Sequence, residues 1–80
     1  MSTAEKVLKI LAEVSEVEEV ARDPQLMLYE QDILDSMKTA ELIVALEQAF
    51  TVEISPAELD REQWATPAKL VAYMEQRVGP

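Results

Sequence analysis

DILDSMKTAELIVALEQAF, residues 32–50, decides the fold. Leu42, Ile43, Leu46, Ala49 and Phe50 recur at the interval of a single helical face, so a helix is expected over 36–50. Asp35 suits its N-cap, because a carboxylate there accepts from the free amides of the next turn. The apolar stripe then needs other elements to cover it.

Working outward, Ser2-Thr3-Ala4-Glu5 has the spacing of a capping box, and Val7, Ile10, Leu11 and Val14 follow as one stripe. A first helix over 3–15 is expected. Residues 16–34 open acidic and pass through Asp23-Pro24, which pushes the chain out of helical space. Leu26, Leu28, Tyr29, Ile33 and Leu34 make this stretch too apolar for a free linker, so it reads as a long loop packed over the core. Thr51-Val52-Glu53-Ile54 is β-branched and leaves the helix. Ser55-Pro56-Ala57-Glu58 has the spacing of a second capping box and predicts a short helix ending near Asp60. Thr66-Pro67 starts the last helix, with Leu70, Val71, Met74 and Val78 on its stripe, and Gly79-Pro80 ends it. The expectation is one all-α domain over 1–80, with three longer helices, one short helix and a long loop between the first two.

Composition narrows the function. Eighty residues support one small core. The chain has no cysteine and no histidine, which removes disulfides, thiolate chemistry and the usual transition-metal sites, and a reducing compartment suits it. Asp32 and Asp35 are close in sequence, but no calcium-loop spacing surrounds them. The single glycine excludes a glycine-rich phosphate loop. Sixteen acidic against seven basic residues give a net charge of −9, which repels nucleic acid and anionic membranes and attracts basic protein surfaces. No leader-like or membrane-spanning run is apparent. The pattern is that of a soluble, acidic interaction protein without catalytic activity.

Ser36 opens the second helix with no evident base to activate it. The residues leave two readings open. It is an ordinary first-turn residue, or it is modified by another protein. A helix N-terminus favours negative charge, so a serine there can carry a phosphodiester if a separate transferase installs it. Met37, Glu41, Val44 and Gln48 lie on one side of the helix, largely off the core stripe. That face is either a solvated side or a docking surface, in which apolar groups supply contact and acids steer a basic partner.

"ILDSM", residues 33–37, opening an amphipathic helix in a small acidic chain, resembles the attachment site of acyl and peptidyl carrier proteins. "DREQWATPAKLV", residues 60–71, is similar to the corresponding stretch of D-alanyl carrier proteins, and the likeness runs from Leu26 to the last helix. The resemblance implies an acyl-carrier-protein-like four-helix bundle. It implies 4′-phosphopantetheine on Ser36, taken from coenzyme A through a phosphopantetheinyl transferase, with Asp35 capping the helix and helping present the site. An ATP-dependent adenylating ligase would load an amino acid, D-alanine or another, as a thioester for delivery to a downstream acyltransferase or acceptor enzyme. A cytoplasmic monomer suits such a shuttle. The alternatives are a carrier of a polyketide, fatty-acid or other natural-product pathway, and an unmodified acidic adaptor. Asp32 stands where such carriers usually have glycine; if the loop needs a positive φ there, aspartate is tolerated less well than glycine, though better than most residues. Trp64 reads as a packing plug at the turn into the last helix, and Tyr73 as core or boundary.

Overall fold

The computed structural model describes residues 2–80; Met1, the first residue of the stretch read for a leader, lies outside them. Three α-helices carry the fold: α1 (Thr3–Ser15), α2 (Ser36–Phe50) and α3 (Pro67–Val78). Short 3-10 turns at Glu18–Ala21 and Arg61–Trp64 interrupt the two connections, and no strand forms among the described residues.

Each helix begins where its sequence says it should. Ser2 Oγ accepts from Glu5 N at 3.1 Å, Asp35 Oδ1 from Lys38 N at 2.8 Å, and Thr66 Oγ1 from Lys69 N at 3.2 Å. These bonds satisfy amides that the helices leave without partners. Pro67, at the first helical position, has no N–H to leave unpaired.

The helices enclose one cluster of buried side chains. Val7 and Leu11 come from α1, Leu42, Ile43 and Leu46 from α2, and Leu70 and Met74 from α3. The connections also supply core: Val20, Leu28 and Leu34 from the first, Ile54 and Trp64 from the second. Trp64 is fully buried, as expected of a plug, and its ring meets that of half-buried Tyr73 edge-on at 5.6 Å. Thr3 Oγ1 donates to Gly79 O at 2.6 Å and ties the start of α1 to the end of α3.

Two expectations are corrected. Ser55-Pro56-Ala57-Glu58 does not start a helix; it forms an exposed turn closed by Glu58 N donating to Ser55 O at 3.1 Å. Only half-buried Leu59 follows it, so no apolar stripe rewards a continued helix. The short helical element lies farther on, at Arg61–Trp64, where burial of Trp64 anchors it and Asp60 caps it by accepting from Glu62 N at 3.0 Å. Ala49 is exposed, so the buried stripe of α2 is narrower than its spacing suggests.

The first connection is held by backbone bonds. Ile33 N and Leu34 N both donate to Leu28 O, at 2.8 and 2.9 Å, and Leu28 N donates to Ala65 O at 2.9 Å. With Leu28 and Leu34 in the core, this coil fixes where α2 starts.

Candidate functional site at the start of the second helix

The chain enters α2 through Asp32, whose φ of 58° is left-handed, the conformation in which glycine meets no penalty. Aspartate tolerates it better than most residues. Asp35 follows in extended conformation and Ser36 is the first helical residue; both are exposed.

Arg61, from the turn that holds Trp64, reaches across and donates from Nη2 to Ser36 Oγ at 2.9 Å. Its guanidinium lies over the Tyr29 ring, 4.8 Å from the centroid. Tyr29 Oη in turn shares a hydrogen bond of 2.8 Å with Thr39 Oγ1, on α2. Arg61 thus bonds the Ser36 hydroxyl, and Tyr29 and Thr39 stand behind the guanidinium. Neither Arg61, Tyr29 nor Thr39 was singled out from the sequence. The one available signal was a lone cation in the acidic stretch Glu58–Glu62.

A groove of about 460 Å³ opens beside the serine. Ser36 and Arg61 lie among its walls with Thr39 and Ile43 of α2, and Ile54 and Leu59 form part of the opposite side. Glu47 Oε2 accepts from Ile54 N at 2.8 Å and holds that side against the helix.

The expected docking residues share an exposed side of α2. Met37 is 73% exposed and Val44 51%, and Glu41 and Gln48 are exposed with them. Glu41, Val44 and Gln48 line a shallow depression with Ala40 and Ala45. Lys38 turns the other way: its Nζ donates to Val14 O at 3.1 Å and pairs with Glu16 at 3.3 Å, at the C-terminal end of α1.

This arrangement can present a hydroxyl but not activate it. Arg61 is a permanent cation and cannot take the proton of Ser36. No group of three or more acidic residues is placed to hold a metal among the described residues.

A family model described as "Phosphopantetheine attachment site" matches residues 5–74. The chain belongs to this family of carriers. A D-alanyl carrier protein from Listeria welshimeri is 36% identical, over 94% of this chain and 96% of its own. One from Listeria monocytogenes is 35% identical over 94% of this chain and 96% of its own. One from Staphylococcus saprophyticus is 36% identical over 95% and 97%. The chain is therefore a phosphopantetheine carrier, non-catalytic itself, and the residues present fit the group. An exposed hydroxyl opens a helix, a guanidinium stands at hydrogen-bond distance, and a groove runs alongside.

Proposed function

We propose that this carrier bears its 4′-phosphopantetheine on Ser36, takes D-alanine as a thioester from an ATP-dependent adenylating ligase and delivers it to an acceptor enzyme. The observation that carries the reading is the exposed Ser36 hydroxyl at the first position of α2, hydrogen-bonded to Arg61 rather than to any base. The names of the relatives support D-alanine as the cargo. When bound, the arm supplies a terminal thiol that holds the amino acid as a thioester.

The chain's own residues perform the presentation. Asp35 caps α2 and fixes the orientation of the first turn. Leu28 and Leu34, buried beneath it, keep Ser36 from moving with the loop. Met37, Glu41, Val44 and Gln48 form the surface read in turn by a phosphopantetheinyl transferase, the ligase and an acceptor enzyme. Apolar Met37 and Val44 provide contact, and Glu41 steers basic partners. The three helices and the connections between them make a single carrier domain over 1–80, with residues 16–34 as its long loop. The carrier works as a cytoplasmic monomer, and no helix among the described residues is long and apolar enough to cross a membrane.

Intact-mass measurement after incubation with coenzyme A and a broad-specificity transferase tests the reading. The expected result is one added phosphopantetheine on the wild type and none on Ser36→Ala. An unchanged wild-type mass, or a modified Ser36→Ala protein, overturns it.

A further inference from the structure

We propose that Arg61 is an anion clamp for the arm, passing from the Ser36 hydroxyl to the phosphodiester once the serine is modified. This rests on the reading of Ser36 as the attachment residue, and it assigns a role to a side chain on a different segment.

The geometry is already that of a clamp. Nη2 of Arg61 lies 2.9 Å from the oxygen that would become the ester bridge. Esterification weakens that oxygen as an acceptor and places anionic oxygens two bonds beyond it, on the phosphorus. The guanidinium then has an anionic acceptor in place of a neutral one without leaving its place, and arginine–phosphate pairing can be bidentate. The Tyr29 ring beneath the guanidinium, at 4.8 Å, and the Tyr29–Thr39 bond behind it limit where Arg61 can go. Less motion is therefore lost on binding.

Charge supply points to the same residue. A phosphodiester adds one negative charge to a chain already at −9. Lys38, two residues from Ser36, is committed to Val14 O and Glu16, and Lys69 is paired with Glu62. Among the described residues Arg61 belongs to neither of the two ion pairs. It is also the cation that the fold places against Ser36.

The experiment compares apo and holo forms of the full chain, with conversion verified by intact mass. In the wild type, hydrogen exchange at the Arg61 side-chain N–H groups, read by NMR, should slow severalfold on conversion. Unchanged exchange overturns the clamp. Thermal unfolding then closes a cycle between apo and holo, and between Arg61 and R61Q. The wild type should gain about 3–6 °C on modification, a gain that shrinks in high salt. R61Q should lose most of it, and R61K should recover part. Because R61Q also loses its contacts in the apo form, only the holo-minus-apo difference is read. Equal gains in wild type and R61Q overturn the clamp while leaving the attachment reading intact. Failure of the wild type to take up phosphopantetheine overturns both.

Discussion

The two faces of α2 arise from one helix of 15 residues and meet opposite surroundings. Leu42, Ile43 and Leu46 are buried in the common core, whereas Met37, Glu41, Val44 and Gln48 stand in solvent. The difference separates what holds the molecule together from what the helix leaves on the surface. Ser36 sits at the head of both faces, positioned by the first and displayed beside the second. The sharpest way to break this division is to truncate one residue of each face. Leu46→Ala should lower stability by about 2–5 kcal/mol in urea unfolding, since a fully buried side chain leaves a cavity. Val44→Ala should stay within about 0.5 kcal/mol of wild type and instead slow loading by the ligase. Equal stability losses at both positions would show that the exposed face also supports the fold.

The ends of α2 sharpen the comparison on a smaller scale. Both require a left-handed residue: Asp32, with φ 58°, just before the helix, and Thr51, with φ 56°, just after it. A β-branched side chain is a poor choice there, and Thr51 is exposed, so its side chain has little burial to set against the strain. Thr51→Gly should raise stability by about 1 kcal/mol, and Asp32→Gly by about half as much, because aspartate tolerates the conformation better. Both are read from the urea midpoint at constant slope. A loss at Thr51→Gly would show that the threonine makes a contact worth more than its strain.

Much of this was legible because it is local. The caps at Ser2, Asp35 and Thr66 and the stripes behind them depend on residues within a turn or two, and the three helices form where those signals stand. The same signal misleads at Ser55–Glu58. Its spacing matches Ser2–Glu5, yet one precedes 13 helical residues and the other a turn. What differs is the apolar face behind the cap, which Val7 and Leu11 supply in α1 and the stretch after Glu58 lacks. Ser36 and its exposed neighbours were readable from helical spacing together with resemblance. Arg61 was not, because its bond to Ser36 spans 25 residues and exists only once Trp64 is seated in the core. Capping rules say nothing about such a meeting.

The finest test of the exposed face concerns charge rather than packing. Glu41 lies between Met37 and Val44 on the displayed side of α2 and is exposed. Reversing it with Glu41→Lys should leave stability within about 0.5 kcal/mol of wild type, as expected for a solvated side chain. It should slow ligase loading about threefold to tenfold at low salt, where the field that draws a basic partner acts over about 30 Å. Near 0.15 M salt that range falls to about 8 Å, and the difference should largely close. The salt dependence is the informative part. A deficit that persists at high salt would mean that Glu41 touches the ligase directly, because a long-range field is screened and a desolvated contact much less so. Rates unaffected at any salt would leave Met37 and Val44 to define the docking face and would remove acidity from recognition. Closure of the gap with salt would instead assign the two exposed residue types different tasks, the acids setting how often partners arrive and the apolar groups how long they stay.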